Sequence, residues 1–273
     1  MGIGDTNFGV QVGIGFVGRV VGALLAFVGS IVLARALGPT DYGVFYLMLS
    51  VVAFLDNPMT GWAEACRKRL TETEFPAGDA IGSTVAGIVL ASGIVFAGAW
   101  LFAPQIASFT DSPDDWLLLS FLFAGMIAYH TANEVLKSTE RFGASPWLNA
   151  GRDMVRVLVQ VGLVLAGLGV AGMVGGMVLA NFVVAPAVLY LVGVRPSIPS
   201  VDSLRSIWSY ARYSIPGGFV GTAQHRIDRI LLGFLVSTTA VGNYEVAMKL
   251  TLPAMFIAGV AQDGLMGRIS NLQ

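Results

Sequence analysis

The sequence predicts an all-α, polytopic membrane protein of about eight transmembrane helices, and three observations carry that prediction. First, of 273 residues 55% are hydrophobic and only 12% charged, with a mean hydropathy of +0.73. Soluble domains carry roughly 25% charged residues. Second, the apolar residues fall into eight stretches, each near the ~20 residues that span a hydrocarbon core. Third, positive charge alternates from one connection to the next. Together these exclude a soluble enzyme, a nucleic-acid binder, a disordered tail and a disulfide scaffold. The formal net charge of −1 carries little information; the placement of the charges carries more.

The spans are expected at Val12–Ala34, Gly43–Ala63, Ile81–Ala103, Trp116–Leu136, Met154–Val170, Gly172–Val194, Ala211–Leu235 and Thr239–Val260. The fifth and sixth are nearly fused through Gly167, Gly169 and Gly172, which predicts a tight turn between antiparallel helices. Arg67, Lys68 and Arg69 follow the second span. Lys137, Arg141 and Arg152 follow the fourth, Arg195 and Arg205 the sixth, and Arg268 the eighth. The intervening connections hold Arg35 as their one basic residue, and the third carries the acidic Asp111, Asp114 and Asp115. By the positive-inside rule this places the N-terminus, the even connections and the C-terminal tail in the cytoplasm. The localisation expected is therefore the cytoplasmic (plasma) membrane. Trp100, Trp116 and Tyr190 fall near the interfaces as aromatic anchors. Gly18/Gly22, Gly172/Gly176 and Gly217/Gly221 have the GxxxG spacing of close helix contacts, although glycine is common in membrane helices in any case. The single cysteine, Cys66, offers no disulfide and no metal cluster, and reads as a small helix residue. No cofactor or metal is expected, and no motif for a hydrolase, a nucleotide-binding loop or a zinc protease occurs.

Residues 33–45 and 232–244 align without gaps at an offset of 199: Leu33 with Leu232, Leu37 with Val236, Gly43 with Gly242, Phe45 with Tyr244. Six spans separate the two units, an even number, so both have the same orientation, and parallel repeats of this kind are typical of transporters. The expected division is a six-helix lobe over residues 1–196 and the start of a second lobe over 197–273.

Several ionisable residues fall inside spans, where they are costly and functional by default. Arg19 lies about 10 Å into the first span by helical rise; it either snorkels to the interface or lines a cavity. Arg152 and Arg156 share a face of the fifth span and either anchor it through Asp153 or contact substrate. His225, Arg226, Asp228 and Arg229 form the densest polar cluster within a span. They either tie helices together or line a cavity, with Asp228 a candidate for coupling to an ion. Glu245 and Lys249, four apart, are expected to pair, as are Glu134 and Lys137, while His130 stands four residues from Glu134. Asp56-Asn57-Pro58 is expected to break or kink the second span, and interrupted helices often line transport routes.

Leu33-Ala-Arg-Ala-Leu-Gly-Pro-Thr-Asp-Tyr-Gly43 resembles the first-loop signature of the polysaccharide (O-antigen, Wzx-type) flippases. These belong to the multidrug/oligosaccharidyl-lipid/polysaccharide exporter superfamily. Phe54 to Arg69, Ile227 to Gly233 and Ala240 to Tyr244 are similar to later pieces of the same family, in the same order. The resemblance implies lobes of six helices around a central cavity and export of a polyprenyl-linked oligosaccharide for glycan biosynthesis. It also implies membrane lipids and glycan-biosynthesis enzymes as partners. Arg19, Arg156, His225, Arg226 and Arg229 are then the candidates to meet the substrate, arginine being suited to phosphate by its planar fork. Against a family of twelve to fourteen helices, the chain is expected to be a fragment. A cation-coupled small-molecule exporter of the same superfamily, of the MATE type, is the alternative.

Overall fold

The computed structural model describes residues 8–72, 75–110, 112–138 and 145–251; the side chains of 8–23, Leu25 and Pro146 lie outside the description. Every described element is helical. One helical run, Phe8–Leu70, is broken at Gly38, whose φ of 74° lies in the left-handed region. Glycine has no Cβ to oppose that conformation. The break separates α1 (8–37) from α2 (39–70), and Pro39 opens α2, where its missing N–H costs nothing. The first connection is thus a one-residue kink rather than a loop.

The elements that follow are α3 (Ala77–Leu101), the short α4 (Ala103–Thr110), α5 (Asp115–Leu136) and α6 (Ser145–Leu163). A π-turn (Val164–Leu168) leads into α7 (Gly169–Val192), followed by α8 (Val201–Leu235) and α9 (238–251). The eight expected spans correspond to α1, α2, α3 and α5 to α9. Among the described residues, four runs are long and apolar enough to cross a membrane: Ala26–Leu70, Ala77–Leu101, Asp115–Leu136 and Trp147–Val192. Two of these, 45 and 46 residues long, are about twice a bilayer's thickness. Each folds back at left-handed glycines: Gly38 in one, Gly167 (φ 89°) and Gly169 (φ 52°) in the other. The turn expected between the fifth and sixth spans is therefore present. α8 falls below that apolarity because of its ionisable residues, and it begins ten residues before the expected Ala211. There Ser200 caps its N-terminus, accepting from the Ser203 amide at 3.1 Å.

The core is built on α2. Tyr42, Phe45 and Val52 pack with Leu122, Phe123 and Ile127 of α5 and Met173 and Val174 of α7. A second cluster joins α5 to α7 through Tyr129, Val135 and Val188. Cys66 is buried among Ala65, Ala80, Ile207 and Ala211, its Sγ 3.5 Å from Ser83. The outer face of α3 instead exposes Val89, Leu90 and Ile94, each more than 60% accessible. An apolar face of that kind is suited to lipid. Trp100 and Tyr190, at the ends of α3 and α7, are exposed as well.

The glycine pairs divide. Gly172 and Gly176 let α7 approach α6 closely: a Cβ would stand 3.0 Å from the Leu163 carbonyl carbon and 2.7 Å from the Gln160 nitrogen. Gly217 and Gly221 face open space, so no close contact uses them. Gly18 and Gly22 lie outside the described side chains.

α8 runs antiparallel along α2. Glu64 accepts from Ser214, Gly61 meets Ile215, Asn57 meets Thr222 and Gly218, and Leu47 fits over Gly233. The kink between α1 and α2 crosses the turn between α8 and α9, where residues equivalent by the 199-residue offset meet each other. The Thr40 and Thr239 hydroxyls hydrogen-bond at 2.9 Å. Gly43 lies on the Thr238 carbonyl and the Gly242 nitrogen, and Gly242 on the Pro39 carbonyl and the Gly43 nitrogen. Equivalent residues of two repeats touch only at the axis relating them, so this crossing marks it. The aligned Gly43 and Gly242 are required there because either Cβ would overlap backbone.

The expected break at Asp56-Asn57-Pro58 does not occur: α2 continues through Pro58 in helical conformation. Pro58 leaves the Phe54 carbonyl without its usual donor. The Asn57 side-chain amide donates to that oxygen and to the Ala53 carbonyl, both at 3.2 Å. The sequence neighbour of the proline repairs what the proline removes.

Candidate functional site

A cavity of about 550 Å³ opens between α1, α2, α6, α8 and α9, next to the crossing at Gly43 and Gly242. Arg156, His225, Arg226, Asp228 and Arg229 all line it. The fold thus brings together five of the six candidates for substrate contact or ion coupling read from the sequence, from helices about 70 residues apart. The sixth, Arg19, sits on the helical backbone of α1, and its side chain lies outside the described residues. Asp56 and Pro58 are not among the lining residues.

α6 and α8 present their polar residues inward for the same reason. Each lays one face on its neighbours, and burying an ionised group against apolar side chains costs more than lining a polar space. Two lining cations of this site, Arg229 and Lys249, meet the buried Glu245 of α9. Glu245 is 2% exposed and accepts from Arg229 Nε, with Lys249 Nζ farther off at 3.9 Å. The expected Glu245–Lys249 pair is therefore secondary to a tertiary pair with Arg229. Arg229 Nη1 also donates to the His225 carbonyl and lies 3.3 Å from Asp228 Oδ1. Tyr244 closes the chain by donating its hydroxyl to Asp228 Oδ2. Asp228, Arg229, Tyr244 and Glu245 thus form one satisfied network that ties α8 to α9.

Two arginines are left outside it. Arg226 makes no ion pair and no side-chain hydrogen bond among the described residues. Arg156 reaches only a 3.5 Å contact with Asp153, which is held more closely by Arg152 at 2.7 Å, and its Nε is buried without a partner. The lining therefore holds four permanent cations against two carboxylates, and both carboxylates are already engaged. The arrangement can accept an anion with two or more oxygens, reached from α6 on one side and α8 on the other. Lys249 stands over the Tyr46 ring at 5.3 Å and Gln160 donates to the Met173 carbonyl at 2.7 Å; both line the cavity. Nothing in the sequence singles out Tyr46 or Gln160. Among the described residues no group of three His, Cys, Asp or Glu side chains could hold a metal ion.

A family model for polysaccharide biosynthesis proteins matches residues 32–273. The chain belongs to that family. Two curated relatives come from the archaeon Haloferax volcanii. One, named a probable flippase AglR, is 25% identical over 92% of this chain and 51% of its own length. The other, named a probable low-salt glycan biosynthesis flippase Agl15, is 24% identical over 93% of this chain and 54% of its own. This polysaccharide biosynthesis family member thus spans about half the length of the curated relatives it matches. Two solved structures share its fold. A MATE multidrug transporter, DinF-BH, superposes with a TM-score of 0.57 at 21% identity, over 87% of this chain and 59% of that one. An inward-facing multidrug resistance MATE family transporter of the MOP superfamily gives 0.60 at 14% identity, over 86% and 59%. The family member is therefore an all-α, multi-pass membrane protein with the MATE fold.

Proposed function

We propose that this chain carries the substrate cavity of a lipid-linked oligosaccharide flippase, and that the cavity binds the phosphate-bearing end of a polyprenyl-linked glycan. The observation that carries the reading is the cationic surplus of the lining. Arg226 has no carboxylate partner among the described residues and Arg156 only a 3.5 Å share of Asp153, and they approach the same space from helices on either side of it. The relatives named as flippases of glycan biosynthesis support the same substrate class. In this reading residues 1–196 form one lobe and 197–273 begin a second. The N-terminus is cytoplasmic in the plasma membrane, the chain transports without catalysis, and glycan-biosynthesis enzymes supply its substrate. Arg19, on α1, is a further candidate to meet the lipid phosphate. The fold likeness to MATE transporters favours a second reading, a cation-coupled exporter of small molecules. That reading calls for a more apolar cavity with one or two acids and few arginines.

The test is binding by the purified chain in lipid nanodiscs. A polyprenyl pyrophosphate glycan should bind, and the corresponding polyprenyl alcohol should bind at least tenfold more weakly. Arg156→Gln with Arg226→Gln should erase the difference. Equal binding of both lipids, or binding indifferent to the two substitutions, rejects the cavity assignment. In cells, Arg19→Ala and Arg226→Ala placed in a full-length version should reduce surface glycan.

A further inference from the structure

A second ionisable pair lies away from the cavity. Asp56 of α2 is 4% exposed and stands about 14 residues, or ~20 Å of helical rise, from the nearer end of α2, which is near mid-membrane. Its Oδ2 is 2.8 Å from Nδ1 of His130 on α5. Its Oδ1 is buried and has no hydrogen-bond partner. The expected local neighbour of His130, Glu134, is taken by Arg67 at 2.9 Å and by Lys137. The histidine is therefore free to face a residue 74 positions earlier in the chain.

Most other charged groups on the surrounding helices are engaged elsewhere. On α2, Glu64 accepts from Ser214 and Arg67 holds Glu134. On α3 the charged residue, Asp79, accepts from the Ser197 and Ser203 hydroxyls and the Ser200 amide. On α6, Arg152 is paired with Asp153 and stands over the Tyr129 ring at 4.4 Å, and Arg156 faces the cavity. α7 has no charged residue, and α8 presents Ser214 and Thr222 to α2. With a neutral imidazole, the pair is a buried carboxylate with one unsatisfied oxygen and a net charge of −1. With one proton more, on the imidazole, it is an imidazolium–carboxylate pair with a net charge of zero.

We propose that Asp56 and His130 form a proton-binding site in the middle of the membrane, whose occupancy sets how α2 holds α8. The proton comes from water and enters at Nε2 of the imidazole, the more accessible member of the pair (37% against 6% side-chain exposure). Nδ1–H stays donated to Asp56 throughout, and no other bond changes. The link to α8 is the next residue. Asn57 braces the Phe54 carbonyl freed by Pro58 and accepts from the Thr222 hydroxyl at 2.9 Å. A change of charge at Asp56 therefore acts on the one turn of α2 whose backbone bonds depend on a side chain. The site lies outside the cavity and does not depend on what the cavity binds.

The experiment uses the purified chain in nanodiscs with no saccharide lipid. Infrared difference spectra between alkaline and acidic buffer should show protonation of one imidazole together with a shift of one ionised carboxylate band. It should be lost in Asp56→Asn and in His130→Gln, and regained when the two are exchanged as Asp56→His with His130→Asp. A variant with Trp62 as its lone tryptophan reports the α2–α8 packing, because that ring lies against the Ile207 and Ala211 cluster. Its emission should shift with the same midpoint as the infrared signal, and the shift should vanish with Asp56→Asn. An infrared signal that persists in Asp56→Asn, a Trp62 emission that ignores the transition, or no regain on exchange in a folded protein overturns the proposal. Failure to bind the pyrophosphate lipid would reject the flippase reading and leave all three signals unmoved.

Discussion

Glu245 and Asp56 are both buried to within a few per cent of full coverage, yet the protein holds them in opposite ways. Glu245 sits at the end of a chain of partners: Arg229 on it, Asp228 beside Arg229, and the Tyr244 hydroxyl on Asp228. Asp56 has one partner, a histidine whose charge depends on a proton, and one oxygen with none. The first arrangement fixes the α8–α9 hairpin against the cavity through a closed set of partners. The second leaves a buried carboxylate oxygen with no partner. A membrane interior makes both costly, so what separates them is whether the surrounding helices supply a permanent cation.

Substitutions separate the two arrangements most clearly by size of effect. Glu245→Ala should be the most damaging. It strands Arg229 in a buried position and should cost about 3–5 kcal/mol, read as a lowered thermal midpoint in detergent. Pairing it with Arg229→Met should recover most of the loss, and a double variant no better than the single would show that the network is not the cause. Next, Arg226→Gln should weaken binding of a polyprenyl pyrophosphate about tenfold, the worth of one charge-assisted hydrogen bond of roughly 1.5 kcal/mol. It should leave the thermal midpoint unchanged because Arg226 has no partner to lose. Asp56→Asn should lower stability by about 1 kcal/mol, since one hydrogen bond changes and no permanent charge is stranded. A loss as large as that of Glu245→Ala would mean that His130 is held charged. Lys249→Met should be the mildest, within about 0.5 kcal/mol, because its 3.9 Å contact with Glu245 duplicates a closer one from Arg229.

Local spacing was a good guide where the partner is local. Arg152 meets Asp153 and Glu134 meets Lys137, as sequence neighbours one and three apart suggest. It failed where a distant helix offers something better. Glu245 turns to Arg229 before Lys249, because the partner on another helix is the one the packed core holds at hydrogen-bond distance. Pro58 shows the same limit within a single turn. A proline in mid-span reads as a break, but the adjacent Asn57 supplies the missing donor, and rotamer geometry of that kind leaves no trace in hydropathy. The start of α8 was hidden similarly. Its first ten residues are too polar to read as a span, and only the Ser200 cap marks them.

The sequence by itself determined the membrane class, the approximate positions of the spans, the folding back at Gly167 to Gly169, and the 199-residue repeat. Those follow from hydropathy, the φ freedom of glycine and alignment, all of which are properties of the chain read in one dimension. The tertiary structure alone decided that Thr40 meets Thr239, that Gly43 and Gly242 share one crossing, and that Arg156 faces the same cavity as Arg226. It also decided which carboxylates are satisfied and which is left with an open oxygen. Those outcomes depend on which helices lie side by side, and an ionised group in an apolar medium takes the nearest complementary charge in space, whatever its distance along the chain.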